Sequence, residues 1–281
     1  MKIFPSKGQT RSQQSLLIEE QDIHSDLMGD KGSSLFLGKY ALSEVEAVLR
    51  KRNFYKEAQK RKLWPLAYHL DNSEFPLQRF QIFYLKKDPE NLIVDLKLRE
   101  CSFRPKDKLK YDISPGQYTF LFLEWLTLQN PLLDFSADRS PLPGQNHPGL
   151  NLGQKAMDVF VYLARLCKLD GILAYPAYFH NALLFSRRFY FLNPAKQAEV
   201  FAIRKSFPKV PFKDIAWIVH LECLRDKNKH IYKWEAEEQV YPLNEALKTY
   251  LGSKKYKEDV KRIQKNLSFS IDWVCYEKKS S

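Results

Sequence analysis

Between Pro143 and Gln154 the chain reads Pro-Gly-Gln-Asn-His-Pro-Gly-Leu-Asn-Leu-Gly-Gln, a turn-forming stretch that leads directly into a long amphipathic run. The first N–H groups of a helix lack internal partners and the helix dipole adds partial positive charge, so such a junction attracts an anion. Glycine allows the backbone to approach a ligand closely, and Pro148 has no N–H of its own to compete. A loop that needs nothing but turn residues would have the same composition. Upstream, Glu124 interrupts an otherwise apolar run from Tyr118 to Leu128, on the side shared by Phe120, Phe122, Leu126 and Leu128. Burial there would raise its pKa toward that of a working general base. A structural carboxylate paired with Arg or Lys from a neighbouring strand is the alternative. His147 and His180 flank the region as further titratable groups, or as loop and packing residues. Asp134 and Asp138 could receive a cation or cap local turns.

The elements that must position these residues are legible from hydrophobic period. Tyr118–Leu128 is apolar on both faces, as in the middle of a sheet. Leu152, Ala156, Phe160, Leu163 and Cys167 recur at spacings of three and four and predict a helix, widened by Met157, Val161 and Leu166. A strand follows at Gly171 to Tyr175, then a helical turn or two at Asn181 to Arg188 and a strand at Phe189 to Leu192. Earlier, a Ser-Glu capping box at Ser43 predicts a helix to about Lys62, and Phe80–Leu85 with Leu92–Phe103 form a hairpin across Lys87 to Asn91. Later, Asp214–Leu224 and Lys229–Trp234 suggest a second hairpin, Leu243–Lys265 a helix broken near Gly252-Ser253, and Leu267–Cys275 a closing strand with period two.

At Asn181-Ala182-Leu183-Leu184-Phe185-Ser186, after the strand, turn, helix and strand, the chain resembles the GNAT superfamily of acetyl-CoA-dependent N-acyltransferases. In that family the loop carries Gln or Arg, two residues, Gly, one residue, then Gly or Ala. Here Gly153 takes the last small position, Asn151 the first, and Pro148 stands where Gln or Arg is usual. The resemblance implies an α/β (α+β) fold, a mixed, mostly antiparallel twisted sheet flanked by helices. It implies acetyl-CoA or another acyl-CoA as co-substrate. Its pyrophosphate would lie on the N–H groups of Asn151, Leu152, Gly153 and Gln154, with Gly149 and Leu150 lining the approach, and Asn181 and Phe185 beside the pantetheine arm. Backbone N–H groups near Leu126 to Leu128 would polarise the thioester carbonyl, and Glu124 would take the amine proton. The family's tyrosine falls on Phe185 or Ser186, which leaves Tyr178 and Tyr190 as substitutes for its proton-donating role. The acceptor would be a small-molecule or peptide amine. A noncatalytic ligand-binding member of the same fold is the alternative.

Composition bounds these readings. With 281 residues, 44% apolar and 28% charged, the chain can bury a sizeable core. Residues 1–36 are polar and read as a mobile arm, and 37–281 as one domain with an extension from about 195. Cys101, Cys167, Cys223 and Cys275 are widely spaced, without metal-ligand spacing, and read as reduced thiols. No segment has the length of a signal peptide core or a membrane span, so the expectation is a cytoplasmic protein without membrane contact. A formal charge of +12 favours an anionic partner. Nucleic acid is a candidate without a recognisable binding motif, and the basic runs Lys51–Lys62 and Lys254–Lys265 read first as solvated helix faces.

Overall fold

A computed structural model describes residues 34–104, 113, 116–136 and 139–280. The expected arm therefore lies outside the described residues as far as 33. Its end is not mobile: Phe36 is fully buried and packs edge-on against Phe80.

Seven strands form a mixed, mostly antiparallel sheet in the order β1-β2-β3-β4-β5-β8-β6. These are β1 Leu66–Asp71, β2 Gln78–Tyr84, β3 Leu92–Phe103, β4 Tyr118–Leu128, β5 Gly171–Ala174, β6 Tyr190–Phe191 and β8 Gln239–Pro242. Only β4 and β5 run parallel. Among the described residues the α-helices are α1 Leu42–Lys51, α2 Phe54–Lys60, α3 Gly153–Leu166, α4 Phe179–Phe185, α5 Pro194–Ser206, α6 Phe212–His220, α7 Glu245–Gly252, α8 Lys254–Lys265 and α9 Trp273–Ser280. A small second sheet pairs β7 Leu224–Arg225 with β9 Ser270–Ile271.

Three apolar cores follow from these faces. One sheet face packs Leu96, Leu121 and Leu123 against Leu49 of α1 and Met157, Phe160 and Leu163 of α3. The opposite face sets Phe120, Leu173 and Val240 against Leu247 and Leu251 of α7 and Tyr256 and Val260 of α8. A third core joins α4, α5 and α6 to the small sheet through Ala182, Ile203, Ile218 and Phe269.

The β2–β3 hairpin forms, and its turn is set by Asp88, whose side chain accepts the Glu90 N–H. Ile93 and Asp95 are buried along with Val94 and Leu96, so β3 is covered on both faces. The break at Gly252-Ser253 is also present, with the Ser253 hydroxyl capping α8 at Tyr256. Elsewhere the structure departs from the expectations. The helix from Ser43 splits in two, because Asn53 takes a left-handed φ of 61° between α1 and α2. Its cap lies two residues earlier than Ser43, at Ala41, whose N–H donates to the Glu44 carboxylate. Asp214–Leu224 is mostly the helix α6, since Ile215, Ile218 and Val219 at spacings of three and four satisfy a helix as well as a strand. The closing strand at Leu267–Cys275 shrinks to two residues, after which Asp272 accepts the Cys275 N–H and starts α9. The extension is not peripheral, because β8 inserts between β5 and β6. Cys223 and Cys275, expected as thiols, are joined in a disulfide with Cα atoms 5.6 Å apart. Folding of the third core brings together two cysteines that lie 52 residues apart. No helix of the described residues is long and apolar enough to cross a membrane.

Candidate functional site

The parallel pair is tied at one end and open at the other. At the tied end Asp170, just before β5, accepts the Thr119 N–H at 2.7 Å, the Thr119 hydroxyl at 3.2 Å and the Asn244 side-chain amide at 2.8 Å. Its carbonyl accepts the N–H groups of Leu243 and Asn244, which fastens β8 and α7 to the same point. Pairing then runs from Phe120 opposite Gly171 to Leu123 opposite Ala174, and stops. Beyond it β4 continues through Leu128 while the other chain turns away through Tyr175 into α4. The two strands part at their carboxyl ends, which is the usual ligand position in open α/β sheets.

At this parting β4 carries a bulge. Leu98 pairs with Leu123 and Lys97 with Trp125, so Glu124 is the extra residue. The bulge reverses the alternation. Leu126 and Leu128 join Leu121 and Leu123 on the α3 face, while Phe120 and Phe122 lie on the other. Glu124 therefore does not share a buried side with Leu126 and Leu128. It is exposed and ion-paired with Arg99 at 2.8 Å, whose guanidinium lies over the Phe122 ring. The burial expected to favour its protonated form is absent. Beside it Trp125 is exposed, and the Tyr175 ring meets Phe122 edge-on across the parting.

The backbone of β4 faces the gap here. Gln129 N–H bonds to Ile93 of β3, and Leu128 O accepts Leu150 N–H from the other side. Strand alternation then turns the N–H groups of Leu126 and Leu128 away from β3, that of Leu128 toward the Gly149-Leu150 segment and that of Leu126 toward the space past the end of β5. The loop returns at Pro148, where Asn130 N–H bonds to Pro148 O, and a bridge joins Gln129 to Gly149. Gly149 and Leu150 are thus spent closing β4, and a Cβ on Gly149 would meet only ordinary contacts. Leu150 and Leu152 are buried core residues.

What remains available is the start of α3. Asn151 takes φ 61°, and Leu152 at the helix cap makes no side-chain capping bond. Asn151, Gly153 and Gln154 are exposed, and no heavy atom outside its chain neighbours lies within 4 Å of a Cβ built on Gly153. Lys155 and Arg61 converge on this point around Glu57, at 2.7 Å and 2.6 Å, and Arg61 also bonds Leu150 O. The Lys155 ammonium and then the Arg61 guanidinium hold the Glu57 carboxyl down to about 2. With Lys60 also near Glu57 the cluster carries more positive than negative groups. The residues Arg61 and Lys155 did not stand out in the sequence, although Arg61 belongs to the basic run at Lys51–Lys62.

An apolar cavity of about 80 Å³ lies between α1, α3 and β2–β4. Leu126, Leu128 and Leu152 line it, and its two charged lining residues, Arg52 and Lys155, are exposed.

The other expected site residues scatter. Tyr178 caps α4, stacks on His180 at 5.3 Å and lies under Gly144, where a Cβ would stand 2.6 Å from its hydroxyl. The loop over it is held to α6 by Trp217 to Pro141 O and Lys213 to Ser140. Burial, with His220 nearby, lowers His180 to about 4, and its Nδ1 has no hydrogen-bond partner among the described residues. Tyr190 is exposed on edge strand β6, separated from β5 by β8. Phe185 stacks on Phe189 and joins the first core, Asn181 is half-buried in the first turn of α4, and His147 is half-buried in the loop. Asp134 is exposed, and Asp138 lies outside the described residues. Neither protein-family models nor curated proteins match the chain.

Proposed function

We propose that the chain is a divergent GNAT-like protein that holds an acyl-CoA at the β4–β5 parting and transfers its acyl group to an amine. One observation carries this reading: the sheet's single parallel pair parts beside a long helix whose exposed first turn lacks a side-chain cap. When bound, acetyl-CoA or another acyl-CoA supplies an acyl group activated as a thioester. The N–H groups of Asn151, Leu152, Gly153 and Gln154 receive the pyrophosphate, and Lys155 and Arg61 add the charge that a phosphate needs. The N–H group of Leu126 polarises the acyl carbonyl, a donor already aimed and therefore effective. Glu124, at the bulge beside the gap, receives the acceptor's ammonium group and then its proton. In this reading Tyr178, four residues beyond the end of β5, returns a proton to the departing thiolate. Tyr190 has no part in this arrangement.

A second reading is favoured by two features: the Arg99–Glu124 ion pair and the packing residue Phe185 where the family has tyrosine. Here the protein holds the ligand without turning it over. Calorimetry with CoA and acetyl-CoA, followed by an amine panel, separates these. Submillimolar binding that weakens in Lys155→Glu supports both, and turnover selects the first. Absence of binding to every acyl-CoA tested removes both. If nucleic acid binds instead, and loses affinity steeply with salt irrespective of sequence, the positive charge alone accounts for it.

A further inference from the structure

We infer that the acyl group is longer than acetyl, a short saturated chain whose tail occupies the cavity between α1, α3 and the sheet. The inference rests on the acyl-CoA reading above. Protein interiors are close-packed and leave few voids larger than a water, so a cavity of about 80 Å³ is a feature to be accounted for. Its lining from β4, α1 and α3 is apolar at Leu126, Leu128, Leu49, Leu152 and Ala156, which offers water no hydrogen-bond partners. An apolar occupant is therefore preferred to solvent.

Position and size narrow that occupant. Because of the bulge at Glu124, Leu126 and Leu128 turn their side chains to the cavity, and Leu126 turns its N–H to the gap past the end of β5. An acyl group with its carbonyl at that N–H has its tail adjacent to the lining. Leu152 and Lys155 belong both to the cavity lining and to the first turn of α3, where the phosphates would lie. A cavity of ~150 Å³ takes a benzene ring, so this one suits about three to four carbons. Arg52 and Lys155, the charged lining residues, are exposed and favour an occupant attached to an anionic carrier over a neutral hydrocarbon.

Calorimetry on the full chain with CoA, acetyl-CoA, butyryl-CoA and decanoyl-CoA tests this. Two further buried methylenes should make butyryl-CoA bind about tenfold more tightly than acetyl-CoA, with no further gain for decanoyl-CoA. Ala156→Leu fills the cavity and should abolish the butyryl advantage while leaving binding of CoA itself unchanged. Leu49→Ala enlarges the cavity and should move the preference to a longer chain, so the proposal stays testable if Ala156→Leu fails to fold. Equal binding of acetyl-CoA and butyryl-CoA, alongside measurable CoA binding, overturns the inference and leaves the acyl-CoA reading standing. No binding of CoA or any acyl-CoA overturns that reading and the inference together.

Discussion

The two ends of the β4–β5 pair are built from opposite materials. At the amino end one carboxylate, Asp170, gathers donors from β4 and from the start of α7, and its carbonyl takes two more N–H groups. At the carboxyl end the pair stops at Leu123 and Ala174, and a bulge and exposed aromatics take over. A sheet whose strands part at one end has to be held together at the other, and Asp170 does the holding. The hydrogen bonds of Asp170 fix where the strands begin, so that the pairing can stop at Leu123 and Ala174.

The largest test of this contrast is Asp170→Ala. It strands the Thr119 N–H and the Asn244 amide in a partly buried place, and leaving such groups unsatisfied costs about 1–3 kcal/mol each. We expect a loss of about 3 kcal/mol in urea unfolding, with protection from hydrogen exchange falling along β4, β5 and β8 together. Exchange confined to Thr119 would mean that the three strands are not held through this carboxylate.

A smaller effect probes the wall behind the open end. His180 sits under Tyr178 with a folded value of about 4 against an ordinary 6.5. The folded value is the lower, so between the two the unfolded chain binds more protons. Stability is whole above about pH 6.5 and falls as the pH drops toward 4, by on the order of 2 kcal/mol. Replacing His180 by Phe keeps the stacking on Tyr178 and should flatten that slope. A slope that persists assigns the pH dependence to other groups.

Smaller again is Gly144→Ala. Gly144 has φ +78°, and the new Cβ would meet the Tyr178 hydroxyl. Strain in the left-handed region with a contact to relieve costs about 1–2 kcal/mol. Exchange should rise in residues 139–149 and stay unchanged at Thr119, which distinguishes the loop over the open end from the tied one.

The tied end left little trace in the sequence. Nothing about Asp170 marks it before β8 is known to lie beside β5, and β8 is only four residues, too few for a period to register. β4 and α3 are long, strongly patterned elements, and they appear where the pattern puts them. The bulge at Glu124 was hidden for a different reason. A strict period of two assigns Glu124 to the side of Leu126 and Leu128, and one inserted residue reverses every side chain beyond it. The cations around α3 depend on the docking of α2 against the loop, a tertiary fact, although the Lys51–Lys62 run contained Arg61 from the start. The start of α5 is legible: Asn193-Pro194 is a capping residue followed by proline at the first helical position, and the Asn193 side chain accepts the Ala195 N–H.

The smallest change sharpens the comparison most directly. Gly153 opens α3 with nothing packed near its Cα, so Gly153→Asp adds a carboxylate without a steric cost. Near the helix N-terminus that charge finds N–H groups and the positive dipole end, and the neighbouring Lys155 as well, for a gain of about 0.3–1 kcal/mol in stability. It occupies the same donors that an incoming pyrophosphate would need. The variant should therefore unfold at a slightly higher temperature and bind CoA at least tenfold more weakly, with the difference shrinking as salt screens both charges. Thermal melts and calorimetry on the same preparation read both effects. A stabilised variant with unaltered CoA affinity would move the anion away from α3 and leave the open end of the sheet without its ligand.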